Sequence, residues 1–518
     1  MALNMADLFE HAVDAFSDRV ALIYGDRQVT YRELDERANR LAHHLALRPG
    51  KHVGLYARNS IEAVETLLAA CKLRAVAINI NYRYIQNELA YHLRDADLAA
   101  IVYDRELAPV VADVVPPDLP RVEIGPGYDD LLAAQPAERD FGERSADDLY
   151  IIYTGGTTGH PKGVMWRHED IWRTLGGGID FITGEVLPDE WAQSRKGAEG
   201  SPLVRMAPAP LIHGAAMVAT LGALFGGDTV VVLPKFDPHA VWDAVQRLKV
   251  NVLSIIGDAM ARPLLEALAE RDYDISSLYS FNTTAALFSP SVKEAVIKAL
   301  PSTYISEAIG STETGFTGIA FVSPGEEHRG GPTVNAGPDV IVIDDDGAVC
   351  GPGQTGRLGR GGHVPLGYYN DPVKTAQMFA EVNGKRYAVP GDWARVEEDG
   401  TITLLGRGNT CVNTGGEKVY PEEVEGALKS HPDVFDALVI GVPDERLGQR
   451  VGALVQLRPD ATADLPALEA HVRDQIAGYK VPRSIWLVGE IGRTVSGKAD
   501  YGWARDHITA HPPAKVTA

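Results

Sequence analysis

The sequence has 518 residues, which at about 150 residues per domain corresponds to roughly three compact units. Hydrophobic residues make up 45% and charged residues 23%, a globular composition that argues against a mainly disordered chain. The 70 acidic residues outnumber the 49 Lys and Arg, and the resulting formal charge of -21 argues against a nucleic-acid-binding protein or one that relies on an anionic membrane surface.

The cysteines, the N-terminal residues and the apolar runs indicate the cellular compartment of the protein. Cys71, Cys350 and Cys411 are far apart and form no Cys-x-x-Cys pair, which argues against a disulfide framework or a zinc site and fits a reducing cytoplasm. Residues 1–7 lack the basic stretch followed by an apolar run that marks a signal peptide. Dense apolar runs such as 229–233 are far shorter than the ~20 residues of a membrane helix. The sequence therefore predicts a cytoplasmic protein without an integral membrane segment.

Helical and strand-like segments alternate through most of the chain. Thr30 and Glu33 have the spacing of a capping box, and Leu34, Ala38 and Leu41 follow on one face of the helix that it opens. Further predicted helices are 61–73 and 238–248, and the predicted strands are 75–80, 99–103, 149–153, 229–233 and 252–256. This alternation predicts parallel sheets covered by helices.

The pattern changes after about residue 340. Short strands between glycine-rich turns are predicted at 340–343, 357–359 and 401–405, and a new unit follows with helices at 421–430 and 465–477 and strands at 434–442, 451–457 and 484–488. The predicted fold class is α/β. It has a large N-terminal domain of helix-covered, mostly parallel sheets over residues 1–406, with a β-rich subdomain at about 335–406. A hinge at 407–409 leads to a small α+β C-terminal domain over 410–518. The stretch 176–202 lacks clear periodicity and is predicted to be a surface loop or lid.

Glycines and hydroxyls crowd after the strand at 149–153, in the run TGGTTGHPKG over residues 154–163. Glycines let backbone N–H groups approach a phosphate closely, and hydroxyls add donors. The ordinary phosphate-loop pattern needs Gly-Lys-Ser/Thr in succession, whereas Pro161 precedes Lys162 here and no hydroxyl residue follows it. We interpret the run as a phosphate loop of another type, with a plain glycine-rich turn as the alternative. The spacing disfavours a conventional phosphate-loop NTPase.

Further motifs follow this loop in a fixed order. They are PAPLIHG at 208–214, GSTE at 310–313, GYYN at 367–370, PGD at 390–392, GR at 406–407, GGEKVYP at 415–421 and RTVSGK at 493–498. Together they resemble the adenylate-forming (AMP-binding) superfamily, which comprises acyl-CoA synthetases, adenylation domains of peptide synthetases and firefly luciferases. The resemblance covers nearly the whole chain and is strongest for the acyl-CoA synthetase, or fatty-acid–CoA ligase, branch. It implies an acid–thiol ligase that uses ATP, Mg²⁺ and CoA.

The implied chemistry explains why these residue types occur together. A carboxylate, already ionised at neutral pH, attacks the α-phosphorus of ATP and releases pyrophosphate, so that no general base is needed. The protein must align two anions and stabilise the charge on the α-phosphoryl oxygens. The resemblance implies that Lys498 bridges the carboxylate and the α-phosphate, that Thr312 donates to the phosphate, that Glu313 binds Mg²⁺ and that His213 lies near the acyl carboxylate.

The resemblance also implies a nucleotide site in which Asp392 and Arg407 hold the ribose hydroxyls. Its predicted members are Thr154, Gly155, Gly156, Thr157, Thr158, Gly159, Lys162, Ala285, Ala286, Ile309, Gly310, Ser311, Asp392 and Arg407. Two of these nucleotide-site positions depart from the family pattern. Ile309 stands where an aromatic ring often packs on adenine, and Ala285 stands where glycine is usual.

Each assignment has a structural alternative. Lys498 and Lys162 could be solvated surface lysines, and Thr312 with Glu313 could be a helix-capping pair. Asp392 could be a turn residue after Pro-Gly, and His213 could be a satisfied core histidine.

The second half-reaction is implied to follow a rotation of the C-terminal domain. Gly415, Gly416 and Glu417 would then reach the CoA thiol, with a plain hairpin turn as the alternative interpretation of the two glycines. The hinge position two residues after Arg407 is a further departure from the family pattern, since Asp or Lys is frequent there. This sequence has Asn409, which tolerates unusual backbone dihedrals.

Weaker signals in the sequence indicate the kind of acid that is activated and the acceptor of the acyl group. Residues 211–217 contain no acidic side chain to pair with an α-amine, which disfavours an amino acid substrate. Ala215, Ala216, Met217 and Gly310 suggest a roomy apolar pocket for a fatty or bulky acid. No carrier-protein domain follows residue 518, which favours free CoA as acceptor. Open alternatives are an acyl-AMP ligase serving a carrier protein, a luciferase-like oxygenase and a non-catalytic acyl-adenylate or ATP-binding paralogue, and a homodimer is also left open.

Overall fold

The computed structural model describes residues 3–154, 161–180, 183–286, 288–322, 332–337, 339–407, 410–414, 417–444, 447–462, 464–476, 478–494 and 497–516. The helices are α1 (Met5–Phe16), α2 (Tyr31–Leu45), α3 (Ile61–Lys72), α4 (Gln86–Asp95), α5 (Ala108–Val114), α6 (Tyr128–Ala133), α7 (His168–Leu175), α8 (Ala192–Glu199), α9 (Gly214–Phe225), α10 (Pro238–Leu248), α11 (Gly257–Glu270), α12 (Pro290–Ala299), α13 (Pro372–Met378), α14 (Pro421–Lys429), α15 (Leu465–Gln475) and α16 (Tyr501–Ala510).

The strands up to residue 322 are β1 (Val20–Tyr24), β2 (Arg27–Thr30), β3 (His52–Tyr56), β4 (Val76–Asn79), β5 (Leu98–Asp104), β6 (Arg121–Ile124), β7 (Leu149–Thr154), β8 (Lys162–Arg167), β9 (Val204–Met206), β10 (Thr229–Val231), β11 (Val252–Ile255), β12 (Ser280–Thr284), β13 (Tyr304–Ser311) and β14 (Gly315–Val322). The later strands are β15 (Thr333–Ala336), β16 (Val340–Ile343), β17 (Thr355–Arg360), β18 (Gly367–Tyr368), β19 (Phe379–Val382), β20 (Lys385–Ala388), β21 (Asp392–Val396), β22 (Ile402–Arg407), β23 (Val412–Thr414), β24 (Glu417–Val419), β25 (Val434–Asp444), β26 (Gly448–Leu457), β27 (Ser484–Val488) and β28 (Lys515–Val516).

A small parallel sheet and a helical layer form the N-terminal part. Strands β4, β3, β5 and β6 lie side by side and all pair in parallel. The capping box that opens α2 is present, because the Thr30 side chain accepts from the Glu33 backbone N–H and the Glu33 carboxylate accepts from the Thr30 backbone N–H. The buried apolar face of α2 packs against α3 in the largest core cluster.

A 15-stranded mixed sheet carries most of the remaining strands. Its centre, in the order β13, β12, β11, β9, β10 and β1, pairs in parallel. From β13 outwards the pairing becomes antiparallel through β14, β15 and β22, so the β-rich strands of residues 333–407 continue this sheet at one end. The predicted α/β class is confirmed, and the antiparallel end is the β-rich region that the glycine-rich turns indicated.

The C-terminal segment has its own six-stranded sheet and its own core. Two clusters of buried apolar side chains are drawn from residues 412 onward. Lys429 joins this segment to α11, since its Nζ lies 3.5 Å from an Asp258 carboxylate oxygen and 3.5 Å from one of Asp436. The C-terminal segment is therefore docked on the large sheet through a buried ionic contact.

The stretch 176–202 contains a helix that the lack of periodicity did not predict. Helix α8 packs against α9 through Gln193, whose amide nitrogen donates to the carbonyl oxygens of Gly176 and Gly222 at 3.0 Å each. The loop-only prediction was therefore wrong for residues 192–199, because tertiary contacts rather than an amphipathic pattern stabilise this helix. Across the part of the chain that the structure describes, no helix is both long enough and apolar enough to cross a bilayer.

Candidate active site

A cavity of about 380 Å³ lies where the ends of β12 and β13, the β21–β22 pair and the C-terminal segment meet. The predicted site residues that line it are Thr154, Lys162, Ala285, Ala286, Ile309, Gly310, Ser311, Thr312, Glu313, Asp392 and Lys498. Outside the described residues lie Gly155, Gly156, Thr157, Thr158, Gly159, Asn409, Gly415 and Gly416, and the side chains of Arg407 and Glu417. Segments separated by more than 300 residues thus meet at one cavity.

A tight turn between β13 and β14 presents Thr312 and Glu313. The Ser311 and Thr314 hydroxyls hydrogen-bond to each other at 2.9 Å across the turn. Trp166 Nε1 donates to the Thr312 carbonyl oxygen at 3.0 Å. Because both residues lie in a β-turn, the alternative of a helix-capping pair is wrong.

Glu313 is a buried carboxylate with one polar neighbour in place. It is 7% exposed, and its Oε1 accepts from the Tyr368 hydroxyl at 3.0 Å. Lys162 Nζ lies 5.1 Å from the centre of the Tyr368 ring, within cation–π range. Tyr368 therefore organises both a predicted metal ligand and a predicted phosphate ligand. Sequence reasoning quoted the Gly-Tyr-Tyr-Asn motif and assigned this tyrosine no role.

Lys162 begins β8 and pairs with Thr154, so a β-hairpin closes the glycine-rich run. A hairpin is consistent with the departure from the ordinary phosphate loop, which leads into a helix. Burial, and then the neighbouring Lys374, lowers the pKa of Lys162. Lys374, whose Nζ also lies 3.5 Å from an Asp371 carboxylate oxygen, is a cation that sequence reasoning missed.

The ribose-clamp candidates are directly opposite each other. Asp392 and Arg407 are register partners in the antiparallel β21–β22 ladder, and Asp392 lines the cavity. Glu422 lies next to Asp392, and its Oε2 is buried without a hydrogen-bond partner among the described residues. Burial, followed by the nearby Glu425 and Asp392, raises the pKa of Glu422 to about 8. A neutral carboxyl group therefore lies under the predicted ribose site at pH 7.

Lys498 lies on a short turn that the C-terminal segment inserts into the cavity. Thr494 N donates to the Lys498 carbonyl oxygen at 2.8 Å, and Gly497 has φ of 76°. Arg493 fixes the base of this turn through an ion pair of 2.6 Å with Asp436. A Cβ on Gly497 would lie 3.0 Å from the Ala259 side chain, so the turn that carries Lys498 packs closely against α11.

His213 ends the Pro-Ala-Pro-Leu-Ile-His loop immediately before α9. Its Nε2 is buried and has no hydrogen-bond partner among the described residues. Burial, and then the positive charge of Lys498, lowers the pKa of His213 to about 3. The imidazole is therefore neutral at pH 7 and lies within the electrostatic range of Lys498. Asn79 supports this loop by donating to the carbonyl oxygens of Tyr153 and Ile212.

The two departures from the family pattern in the nucleotide site have distinct structural settings. Ala285 has φ of 66°, the left-handed region in which glycine is favoured, and it lines the cavity. Ile309 is 4% exposed and packs with Val334 and Leu358 while also lining the cavity. Its side chain supplies an apolar surface there without an aromatic ring.

Two family models match this chain. The family model described as AMP-binding enzyme matches residues 9–369, and the one described as AMP-binding enzyme C-terminal domain matches residues 423–498. The chain belongs to the AMP-binding enzyme family. The first match alone covers more than half of the sequence and contains all the predicted catalytic residues except Lys498.

Relatives of this AMP-binding enzyme match over its whole length. A 3-oxocholest-4-en-26-oate–CoA ligase of Rhodococcus rhodochrous is 52% identical over 100% of this chain and 98% of its own. A medium/long-chain-fatty-acid–CoA/3-oxocholest-4-en-26-oate–CoA ligase of Mycobacterium tuberculosis is 51% identical over the same shares. The crystal structure of ATP-bound MatB from Rhodopseudomonas palustris has a TM-score of 0.83 and 26% identity, covering 98% of this chain and 99% of that one. The AMP-binding enzyme is thus an AMP-forming acid–thiol ligase, an acyl-CoA synthetase.

Proposed function

We propose that this acyl-CoA synthetase activates a fatty or bulky hydrophobic acid, with pyrophosphate release, in the cavity that Lys498, Thr312, Glu313 and Asp392 line. The observation that carries the proposal is the insertion of the Lys498 turn into a cavity built by the large sheet. The relatives at 52% and 51% identity are CoA ligases for such acids, which supports the same acid class for this chain.

In the first step the acid's carboxylate oxygen bonds to the α-phosphorus of ATP, and pyrophosphate leaves with the electrons of the broken P–O bond. Lys498 supplies a cation between the two anions, and the Thr312 hydroxyl donates to the α-phosphoryl oxygens. The neutral His213 imidazole orients the carboxylate by donating a hydrogen bond, a role that suits an unpartnered Nε2 beside Lys498. Because the acid arrives ionised, no proton has to be removed.

Glu313 would hold Mg²⁺ together with phosphate oxygens of the nucleotide. Mg²⁺ typically takes one or two carboxylates and completes its shell with phosphate oxygens and water, which fits a single buried carboxylate with one oxygen held by Tyr368. When bound, the ion neutralises charge on the phosphates. Lys162, which lines the cavity, and the neighbouring Lys374 add cations near the phosphates.

In the second step the CoA thiol sulfur attacks the acyl carbon, AMP leaves and the thiol proton is released. We assign Gly415, Gly416 and Glu417 to the approach of the pantetheine chain and Asn409 to the hinge. Free CoA is the proposed acceptor. None of the three cysteines forms a disulfide within the part of the chain that the structure describes, which supports a reducing, cytoplasmic setting.

The test is acid-dependent pyrophosphate release across a panel of fatty, steroid and amino acids, with and without CoA. We expect release with the hydrophobic acids and acyl-CoA formation only when CoA is present. Lys498→Ala should lower pyrophosphate release by about 10²-fold or more, as loss of a transition-state charge partner does, while keeping much of the transfer from preformed acyl-AMP to CoA. Lys515→Ala is the matched control, because Lys515 pairs with Glu469 in the same C-terminal segment and does not line the cavity.

Each contrary outcome has a defined meaning. If no acid supports pyrophosphate release, the proposed function is wrong and a binding protein is favoured. If adenylate forms but CoA yields no thioester, a carrier protein is the acceptor. An equal loss of both half-reactions in Lys498→Ala would contradict the separate roles of the two conformations.

A further inference from the structure

A second cavity, of about 280 Å³, lies between the C-terminal half of α9 and the sheet face formed by β9, β10 and β11. We call it the distal cavity. Ala219, Gly222 and Ala223 line it from α9, Arg205 and Ser254 line it from the sheet, and Gln193 lines it from α8.

Helix α9 connects the candidate active site to the distal cavity. The helix begins directly after His213, and a Cβ on Gly214 would lie 3.9 Å from the Thr312 hydroxyl. Ala215, Ala219 and Gly222 follow at spacings that share one helix face. Ala215 and Ala219 are exposed although α9 is otherwise largely buried. The helix is about 18 Å long at 1.5 Å per residue, so a long acyl group held at His213 can extend along this face into the distal cavity.

The sheet wall of the distal cavity is polar. Ser254 lies on β11, which has strands paired on both sides, yet the residue is only half-buried because the cavity opens over it. Its hydroxyl has no hydrogen-bond partner recorded among the described residues. Arg205 donates from Nε to the Asp228 carboxylate, and within the described ranges no acceptor is recorded for its two terminal nitrogens.

An acyl group made only of hydrocarbon would cover these donors and leave them unsatisfied. Burying a polar group without a partner costs about 1–3 kcal/mol, and more for a charged group. A hydrogen-bond acceptor on the far end of the acid avoids that cost and accepts a charge-assisted hydrogen bond. A wall with these donors would favour an acid that carries such an acceptor over an acid of similar size that lacks one.

We propose that Arg205 and Ser254 determine specificity by receiving an oxygen substituent, a keto or hydroxyl oxygen, at the end of the acyl group remote from the carboxylate. The substrate class is a long, bulky carboxylic acid with a distal oxygen acceptor. This inference rests on the proposed function, because it takes the carboxylate to be held at His213 and Lys498.

The test compares two steroid acids, 3-oxocholest-4-en-26-oate and the same acid without its 3-oxygen, together with decanoate. Acid-dependent pyrophosphate release gives kcat/KM for each. We expect the wild-type protein to favour the oxo acid by about tenfold or more, the ratio given by a charge-assisted hydrogen bond. Arg205→Lys keeps a cation for Asp228, and Ser254→Ala removes only the hydroxyl. The double variant should bring the ratio close to one.

Ser302→Ala, at an exposed serine outside the cavity, is the control and should keep the wild-type ratio. Equal kcat/KM for the two steroid acids in the wild-type protein overturns the inference. If the double variant keeps the preference for the oxo acid, the inference is also overturned, because other residues then bind the oxygen. Pyrophosphate release with decanoate in either case leaves the proposed function intact, whereas no release with any acid overturns that function and the inference with it.

Discussion

Ala285 occupies a backbone conformation that L-residues with a Cβ rarely adopt. Its φ of 66° is in the left-handed region, which costs a non-glycine residue about 1–2 kcal/mol. The residue follows β12 and lines the candidate nucleotide cavity. The sequence marked this position only as a departure from a family glycine, and the dihedral now gives that departure a physical meaning.

Replacing Ala285 with glycine should therefore relieve strain. The gain is offset by about 0.5–1 kcal/mol of extra chain entropy in the unfolded state, so we expect the free energy of unfolding to rise by up to about 1.5 kcal/mol. Urea denaturation measures it. Ala286→Gly is the matched control, since Ala286 has no positive φ and should lose about 0.4–1 kcal/mol. An equal loss at both positions would show that the left-handed conformation carries no strain.

Two ionisable side chains of this site, His213 and Glu422, are neutral although they lie beside charged groups. His213 has a pKa of about 3 and Glu422 one of about 8, so both are uncharged at pH 7 although each lies near charged neighbours. Burial is the largest cause of both shifts. Sequence reasoning named His213 from its motif. It could not find Glu422, because its neighbour Asp392 is distant along the chain.

Elements with strong local signals were predicted closely, and long-range pairing was not. The predicted helix 238–248 coincides with α10, where Asp237 caps the helix and Pro238 starts it. The predicted strand 484–488 coincides with β27. The joining of β13 to β14, β15 and β22 could not be predicted, because register between distant strands leaves no local pattern. The proximity of Lys374 to Lys162 was missed for the same reason.

The β13–β14 hairpin depends on close backbone approach at Gly310. A register shift lies between Ile309 and Gly310, and a Cβ on Gly310 would overlap the Gly315 carbonyl oxygen. Since that oxygen belongs to the backbone, the whole turn that presents Thr312 and Glu313 would have to move.

We expect Gly310→Ala to lower the free energy of unfolding by about 1–3 kcal/mol, as overpacking does, and to reduce acid-dependent pyrophosphate release by tenfold or more. Thermal unfolding and single-turnover adenylate formation check the two effects. Gly142→Ala is the control, because a Cβ there meets no atom within 4 Å and φ is not positive. Wild-type stability and rate in Gly310→Ala would exclude the close approach as a requirement.

At the scale of the whole molecule, the site exists only while the C-terminal segment is docked. Several of the docking contacts lie on α11 and α12. Arg262 lies over the Phe435 ring, Lys429 reaches Asp258, and the Ser291 hydroxyl donates to the Lys429 carbonyl oxygen. These contacts are largely polar, so they can be replaced by water when the segment leaves, which an apolar interface would resist.

Glu422 couples this docked arrangement to pH. Its carboxyl group is enclosed by Gly406 of β22 and lies near Glu425, Asp392 and Lys429. The folded-state pKa of about 8 lies above the ordinary value of 4.5, so the folded protein keeps a proton that the unfolded chain releases as pH rises between these values. The free energy of unfolding therefore falls with rising pH over this window, and Glu422 adds no further loss above about pH 8.

Glu422→Gln should remove this contribution, because the amide stays neutral. We expect the difference in Tm between Glu422→Gln and the wild-type protein to increase in favour of the variant from pH 5 to pH 8 and then to stay constant. The variant should also keep its rate of adenylate formation at pH 8.5 better than the wild-type protein does, since ionised Glu422 would repel Asp392 and Glu425 in the docked state. The measurement is the Tm of both proteins at half-unit pH intervals. A Tm difference between them that does not change with pH would mean that Glu422 is already ionised in the folded protein.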